Sequence, residues 1–387
     1  MTVTSIARRP NGRYRARYRD PSGIEHAKHF ARKVDAQRWV DERTAAMVTG
    51  QYVDPTAGRV KLRAYAEQLR ATMAHGPTTR NLVERTLRRH VYPTLGELPM
   101  ATIRTSTLQG LMTELAGRLA PSTLKLVHGY VVAVFRAAVR DKVIATSPCD
   151  GVGLPSARRR QVEVLPLEVV DVLAANLPPR FRVVPALVAG CGLRQGELFG
   201  LELGRVEFLG RRTVDVAQQL VTLTPDPPYL GKVKTPESER VVPLAPVTLD
   251  VLAAHLAAHP PGEVELSDRT DPNRPTTRTA RLLFTVDGGA AVSRYRWSAI
   301  WRPAARAAGL PPRTGLHALR HLYASLLIRH GESVKVVQRR LGHSSAAITL
   351  DTYAHLWPDS DDRTREAVQT ALVDRSADTV RTVGRSS

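Results

Sequence analysis

The sequence is poor in cysteine, in acidic residues and in long apolar runs. Its two cysteines, Cys149 and Cys191, are too few for a disulfide framework and lack the spacing of metal ligands, so we expect both to be reduced, buried side chains. Apolar stretches such as VVPALVAGCGL at 183–193 are about half the length of a membrane-spanning helix, which argues against a membrane protein. The N-terminus turns arginine-rich before any secretory apolar region, so a cytoplasmic location is expected.

The shortage of acidic residues leaves a strong positive charge. The 387 residues contain 56 Lys+Arg against 36 Asp+Glu, a formal net charge of +20. Such a charge indicates a polyanionic partner, most simply nucleic acid, although charge alone does not separate DNA, RNA and an anionic membrane. A hydrophobic content of 43% can fill ordinary cores, and the length allows two or three folded domains.

The first fifty residues read as a small module of two strands and a helix. GRYRARYRD alternates, which puts apolar side chains such as Ala16 and Tyr18 on one face of a strand. DPSG then predicts a turn, IEHAKHF a returning strand, and KVDAQRWVDERTAAMVTG a helix closed by Gly50. The other face of the first strand carries arginines without interspersed acids, which favours contact with phosphates and a DNA groove. These residues are Arg13, Arg15, Arg17 and Arg19.

The rest of the chain is mainly helical. After a linker at 51–58, apolar residues recur at three- and four-residue intervals from Val60 to about Ser147, and basic residues such as Arg88 and Lys125 decorate this region as candidate DNA contacts. A linker rich in Pro, Gly and Arg follows at 147–161. Beyond it, helices alternate with strand-like segments, the turn TPES is expected between two short strands, and the polar region from about 265 to 280 is expected to be a mobile loop.

These patterns predict a multidomain, mainly α fold. We expect a small β-sheet plus helix module at 1–55, an all-helical domain at 60–150, an α-rich domain with a small antiparallel sheet at 160–375, and a flexible tail at 376–387.

Metal-free phosphodiester chemistry would use residue types found in the third domain. Its transition state gathers negative charge on the non-bridging oxygens, which two guanidiniums, Arg194 and Arg320, could stabilise through their planar forks of donors. A lysine entering a hairpin turn can protonate the leaving 5′-oxygen; Lys234 fits this role, and Lys232, two residues away, competes for it. The phenol of Tyr353 can form a covalent phosphoester.

Two histidines would complete this chemistry. His317 and His343 could handle the proton of the phenol and the phosphate oxygens. Taken singly, each of these residues is more often structural than functional; their order and spacing together carry the hypothesis.

In that order, the segments GLRQGEL, VKTPESERVVPL, HALRH, LGHSS and TLDTYAHL resemble the sequence boxes of tyrosine recombinases of the phage integrase family. The resemblance covers most of 163–358. The helical 60–147 region is similar in length and position to the family's core-binding domain, and the 1–50 module resembles the arm-binding domain of lambda-type integrases.

The resemblance implies a role for each matching residue. Arg194 and Arg320 would bind the scissile phosphate, and Lys234 would act as general acid toward the leaving oxygen. Tyr353 would be the nucleophile that forms a 3′-phosphotyrosyl intermediate. His317 would assist proton transfer, His343 would contact the phosphate, and Glu197 would support the site by orienting the arginine or histidine network.

The resemblance also implies partners and a setting. The chain would be a site-specific recombinase that integrates, and also excises, a phage or mobile-element genome without metal, ATP or other cofactor. It would act as a homotetramer on double-stranded DNA with core and arm sites, in the cytoplasm and at the nucleoid of a bacterial host. An excisionase and a host DNA-bending protein would set its direction, and the C-terminal segment at 361–373 would pack on a neighbouring subunit.

Two alternatives remain at the level of sequence. A type IB topoisomerase resembles the same catalytic set but relaxes DNA without pairing two sites; the separate arginine-faced module and the Leu-Gly-His box argue against it. A recombinase-derived DNA-binding protein without catalysis would have had no chemical reason to retain all six catalytic positions.

Overall fold

The fold is taken from a computed structural model, which describes residues 4–156, 161–223, 226–357, 365–366, 368–370 and 372–373. The chain divides into two compact units, 1–159 and 160–387. The predicted tail at 376–387 lies outside the described residues, as does part of the predicted linker at 147–161. The three-domain boundaries drawn from the sequence stay a prediction.

The first unit begins with a three-stranded antiparallel sheet backed by one helix. The elements are β1 Thr4–Arg8, β2 Tyr14–Arg19, β3 Glu25–Phe30 and α1 Lys33–Val48, with strand order β1-β2-β3. The sequence predicted β2, β3 and α1 but missed β1. TSIAR is too short to show a clear period, and it is a strand because it pairs along its whole length with β2.

The alternation in β2 has the predicted consequence. Ala16 and Tyr18 are fully buried, and Ala16 forms a small core with Ala36 and Val40 of α1. The Tyr18 hydroxyl lies 3.1 Å from that of Tyr52, which is itself buried, so part of the expected linker is packed against the module.

The remainder of the first unit is helical. Its helices are α2 Leu62–Thr72, α3 Pro77–His90, α4 Tyr92–Leu95, α5 Thr105–Ala116 and α6 Pro121–Arg140. They enclose one apolar core. By length and composition α6 could cross a membrane, but one of its faces, which includes Val127 and Phe135, supplies part of this core. Cys149 is buried at its edge as a free thiol.

The second unit contains the remaining labelled elements. Its helices are α7 Val169–Asn176, α8 Val184–Cys191, α9 Gln195–Phe199, α10 Pro246–Ala258, α11 Arg294–Ala307, α12 His317–Arg329, α13 Val334–Leu341 and α14 Ala346–Tyr353. Its strands are β4 Val206–Glu207, β5 Thr213–Val216, β6 Gln218–Val221, β7 Tyr229–Lys232, β8 Arg240–Pro243, β9 Gly262–Arg269 and β10 Thr276–Leu282. Further along the chain, 365–366, 368–370 and 372–373 are helical.

The predicted hairpin around TPES is wrong. β7 pairs with β6 and β9, whereas β8 pairs with β5 in another sheet. Only Ala217 separates β5 from β6. Their partners β8 and β7 are separated by seven residues, 233–239. The lysine segment is therefore a loop between β7 and β8, and these two strands pair with different strands, β6 and β5.

The mobile loop expected at about 265–280 is also wrong. β9 and β10 form an antiparallel hairpin there, on the edge of a four-stranded sheet with order β10-β9-β7-β6. Arg278 holds the hairpin by donating to Asp268 at 2.6 Å and to Glu202 at 2.7 Å. The segment resembles a loop in sequence because most of its side chains are polar and exposed, and cross-strand pairs such as Arg278 with Asp268 leave no mark in composition. The predicted fold class, multidomain and mainly α with small sheets, is confirmed.

Candidate active site

Arg194 lies where α8 turns into α9. Gly192 ends α8 in the left-handed conformation, at φ +63°, and Arg194 then caps α9. Its Nη1 donates to Glu197 Oε1 at 2.6 Å and to Ser238 Oγ at 3.2 Å, while its Nη2 donates to the Gly342 carbonyl at 2.8 Å. The guanidinium thus joins three segments that are distant in sequence, and its side chain keeps 29% exposure.

Glu197 contacts this arginine, and its supporting role stays a prediction. Its side chain is 3% exposed and accepts hydrogen bonds from the Arg194 backbone N–H and from Arg240 Nη2, both at 2.9 Å. Burial alone would raise the pKa of this carboxyl, but the charges of Arg240 and Arg194 outweigh burial and lower the pKa to about 2. Glu197 is therefore ionised at neutral pH.

Arg240 is a site residue that the sequence reasoning missed. It is buried, and besides Glu197 its guanidinium donates to the Arg340 carbonyl at 2.7 Å and to the Ser238 carbonyl at 2.9 Å. A signal was available: in RVVP the period of two puts Arg240 on the same face as Val242, which is in the core. An arginine on the buried face of a strand requires a carboxylate partner.

Arg320 is one turn into α12 and is 1% exposed. Its Nη1 donates to the Gly192 carbonyl at 2.6 Å and its Nη2 to the Leu341 carbonyl; its Nε has no partner among the described atoms. Burial and the charge of Arg194 lower its pKa to about 9, which still leaves the guanidinium charged at neutral pH.

The turn between α13 and α14 brings the two predicted phosphate-binding arginines together. The carbonyls of Leu341 and Gly342, consecutive in the chain, accept hydrogen bonds from Arg320 and Arg194 respectively. Gly342 has φ +61°, and a Cβ there would lie 2.9 Å from Ser238 Cα. Only glycine allows this close approach with this backbone conformation.

His343 follows this turn and contacts α14. Its Nδ1 lies 2.9 Å from the hydroxyl of buried Thr349, and its ring is parallel to that of Tyr353, with centroids 6.4 Å apart. Burial, Arg320 and Arg194 lower the pKa of His343 to about 3, so it is neutral near pH 7.

Tyr353 ends α14 and is 1% exposed. Its hydroxyl lies 2.7 Å from Nδ1 of His321, a residue that the sequence reasoning missed although it stands one turn after His317 on α12. Burial raises the pKa of Tyr353 to about 12 against the opposing charge of Arg320. Burial, His317 and Arg320 lower the pKa of His321 to about 4.

His317 begins α12 and is exposed. Its ring meets that of His321 edge to face, with centroids 4.6 Å apart. The surrounding protein atoms and the charges of Arg320 and Arg194 lower its pKa below the ordinary range. The structure thus brings His317 into the same cluster as Arg320, His343 and Tyr353.

Lys234 lies in the 233–239 loop and is exposed, as is Lys232 at the end of β7. Ser238 anchors the loop to the site, because its Oγ accepts from Arg194 at 3.2 Å and donates to the Gly342 carbonyl at 3.3 Å. Within the loop, the hydroxyls of Thr235 and Ser238 lie 3.1 Å apart. Lys234 directly precedes Thr235, so it is the lysine nearer along the chain to this anchor. The choice between the two lysines stays a prediction.

The predicted DNA-binding residues lie in the first unit. Contrary to the reading of the arginine face as free of acids, Glu25 on β3 lies 3.6 Å from both Arg15 and Arg17. Arg88 pairs with Glu84 at 3.0 Å one turn earlier on α3. The remaining candidates are exposed: Arg13, Arg19 and Lys125.

Three family models match the chain. That of the phage integrase family matches 164–359, that of the phage integrase N-terminal domain matches 4–49, and that of the phage integrase central domain matches 59–153.

Individual proteins are also similar. The integrase of Mycobacterium phage L5 is 24% identical over 356 residues, covering 89% of this chain and 92% of the relative. Tyrosine recombinase XerC 1 of Ralstonia nicotianae is 29% identical over 221 residues, covering 55% and 62%. The Tn1549 transposon integrase in complex with transposon right end DNA has a TM-score of 0.67 at 20% identity, covering 81% of this chain and all of that one. A lambda integrase tetramer bound to a Holliday junction has a TM-score of 0.57 at 18% identity, covering 88% and 96%, and both structures share this fold.

Proposed function

The chain belongs to the phage integrase family of site-specific recombinases, enzymes that cleave and rejoin DNA, and we propose that it acts through a 3′-phosphotyrosyl intermediate at Tyr353. One observation carries this proposal. Arg194 and Arg320 donate to two consecutive carbonyls, those of Gly342 and Leu341, and the next residue, His343, stacks on Tyr353. Two guanidiniums, a histidine and a phenol therefore converge on one turn.

Each arginine has a defined part in this mechanism. A scissile phosphate bound by both guanidiniums would have the negative charge of its transition state stabilised by preorganised donors. Arg194 is partly exposed and kept in place by Glu197, whereas Arg320 and Tyr353 are enclosed by protein. Binding of the phosphate therefore requires local opening of the side chains that cover them, with His343 positioned to contact a phosphate oxygen.

The proton for the leaving 5′-oxygen comes from the 233–239 loop. We assign Lys234 as the general acid that protonates the 5′-oxygen, because Ser238 ties its loop to Arg194 and Gly342, and Thr235, the residue after Lys234, contacts Ser238. In the reverse step the 5′-hydroxyl returns its proton to Lys234 and attacks the phosphotyrosine. No metal, ATP or other cofactor takes part in this scheme.

The partner is double-stranded DNA. The solved relatives named above were bound to transposon-end DNA and, as a tetramer, to a Holliday junction, which supports DNA binding and assembly into a homotetramer for this chain. We propose that the helical module at 60–150 grips core sites and the module at 1–55 grips arm sites. An excisionase and a host DNA-bending protein would set the direction of integration or excision, in the cytoplasm and at the nucleoid of a bacterial host.

The test is capture of a covalent adduct on a nicked duplex that carries the junction sequence of the gene's own mobile element. Wild type should form the adduct in EDTA, and Tyr353→Phe should not. Tyr295→Phe, at an 84% exposed position on α11, is the matched control and should behave as wild type. An adduct that persists in Tyr353→Phe, or cleavage that requires magnesium, would contradict the proposal.

A further inference from the structure

The hydroxyl of Tyr353 has one hydrogen-bond partner among the described residues, Nδ1 of His321 at 2.7 Å. The sequence had given proton handling to His317, but no hydrogen bond joins His317 to Tyr353 in the described part of the chain, and His317 is exposed. A nucleophile and the base that activates it are recognised by this direct contact. From this geometry, and resting on the function proposed above, we propose that His321 is the base that accepts the proton of Tyr353 when it attacks the scissile phosphate.

The position of His321 on α12 supports this role. The helix carries Arg320 immediately before it, so one rigid element sets both a phosphate-binding guanidinium and the group that holds the nucleophile. The phenol from α14 reaches back to this helix, and its ring meets the His321 ring at an interplanar angle of 66°. Local opening that keeps this hydrogen bond would bring nucleophile and base to the phosphate together.

The protonation state fits an acceptor. The titratable and charged neighbours of His321 are His317 and Arg320 on its own helix and Tyr353 from α14, with His343 stacked beyond the phenol. With its pKa lowered, the imidazole is neutral at pH 7, and in the tautomer with hydrogen on Nε2 its Nδ1 lone pair receives the phenolic hydrogen. The same lowering makes the ring a weak base, so the proton moves only as the phenolic oxygen bonds to phosphorus. The raised pKa of Tyr353 keeps the phenol protonated until the phosphate draws the electrons of its oxygen.

The step balances. The O–H bond of Tyr353 breaks and its proton goes to His321 Nδ1, while a bond forms between the phenolic oxygen and phosphorus. The bond from phosphorus to the 5′-oxygen breaks, and that oxygen takes a proton from Lys234. His321 is then an imidazolium and Lys234 a neutral amine, and rejoining returns both protons.

The test compares single-turnover adduct formation across pH for wild type, His321→Ala, His321→Asn and the control His330→Asn, an exposed histidine just beyond α12. Loss of a general base lowers such rates by about 10²-fold to 10⁴-fold. We expect this loss for His321→Ala, a similar loss for His321→Asn, whose oxygen accepts a hydrogen bond but no proton, and none for His330→Asn. Rates of both His321 variants should rise with pH as hydroxide replaces the base.

A substrate with sulfur in place of the leaving 5′-oxygen separates acid from base. Sulfur leaves without protonation, so it should restore cleavage to Lys234→Ala but not to His321→Ala. Restoration of His321→Ala by sulfur, or wild-type rates and pH profile in His321→Asn, would overturn the base role. Gel-shift affinity and melting temperature show whether each variant is folded. An adduct in Tyr353→Phe would instead refute the proposed function, so the two failures are distinguishable.

Discussion

Glu197 and Arg240 form an ion pair at 2.9 Å in which both side chains are at most 3% exposed. The pair joins α9 to β8, and Arg240 extends the link to α13 through the Arg340 carbonyl. Since Glu197 also holds Arg194, the arginine proposed to bind the scissile phosphate is positioned by a buried charge network. All of these contacts lie within the protein, so they position Arg194 in the absence of DNA.

Replacing Arg240 by methionine should destabilise the second unit strongly. The substitution leaves Glu197 buried with one fewer positive partner, a change that typically costs about 3–5 kcal/mol. Calorimetry should show a lower melting temperature. Adduct formation should slow because Glu197, which holds Arg194, loses its ion-pair partner Arg240. Arg278→Met is the matched control: Arg278 is also ion-paired, with Glu202 and Asp268, but its side chain is 35% exposed, so the loss should be smaller.

The double variant Arg240→Met with Glu197→Gln tests whether the buried charge of Glu197 causes the loss of stability in Arg240→Met. Removing both charges should recover part of the stability lost in Arg240→Met, because the amide costs less to bury than an unpaired carboxylate. Equal melting temperatures for Arg240→Met and wild type would show that the pair does not contribute to the stability of this unit.

Acidification should weaken the second unit through its histidines. The pKa of His321 is about 4 and that of His343 about 3 in the folded chain, both below the ordinary value of 6.5. The unfolded chain therefore binds these protons more readily, so the stability due to the neutral rings is complete above pH 6.5 and is lost as pH falls toward 4.

The variant His343→Asn tests this pH dependence. Asparagine can still bond to Thr349 but does not titrate, so the loss of stability between pH 6.5 and 4 should be smaller than in wild type by about 3 kcal/mol. The groups around His343 are Arg320, Arg194, His317, Arg240 and Tyr353. Urea unfolding at several pH values measures the slope, and parallel slopes for variant and wild type would contradict this account.

A methyl group at Gly342 should separate the turn from the lysine loop. Its Cβ would lie 2.9 Å from Ser238 Cα and 3.0 Å from the Glu237 carbonyl oxygen, in addition to the strain of φ +61°. Gly331→Ala is a matched control with φ +84° and no atom within 4 Å of the added Cβ. Both should lose about 1 kcal/mol to strain, but only Gly342→Ala should also slow DNA cleavage. Equal cleavage by the two variants would show that the close approach has no catalytic role.

The sequence predicted the candidate site residues because they lie in motifs with a fixed order along the chain. Arg194, His317, Arg320, His343 and Tyr353 occur in ordered boxes, and the structure gathers them around one turn. The fold class was equally accessible, because helix periodicity in the central region and strand alternation in β2 are local properties.

The sequence was uninformative where function depends on contacts between distant segments. Arg240 meets Glu197 across 43 residues, and Ser238 meets the Gly342 carbonyl across 104. The period of two in β8 places Arg240 on the buried face, but no local pattern identifies Glu197 as its partner or joins Ser238 to Gly342. The β9–β10 hairpin was mistaken for a loop because Arg278 and Asp268 satisfy each other across strands, which composition does not show. His321 lies within a motif that the sequence reasoning used, but only its contact with the Tyr353 hydroxyl in the structure indicates a role.

Removing the charge of Glu25 should strengthen DNA binding by the N-terminal module. This carboxylate lies 3.6 Å from Arg15 and Arg17, so it competes with phosphates for both guanidiniums. Glu25→Gln should therefore lower the dissociation constant for arm-site DNA. Glu42→Gln, the same charge change at an exposed position on α1, is the control, and its effect should be smaller because α1 packs on the opposite face of the sheet.

Arg17→Ala should do the reverse of Glu25→Gln and reduce the salt dependence of binding by about one ion. Titrations at several salt concentrations measure all three, and identical affinities for the Glu25 and Glu42 variants would mean that DNA does not use the arginine face.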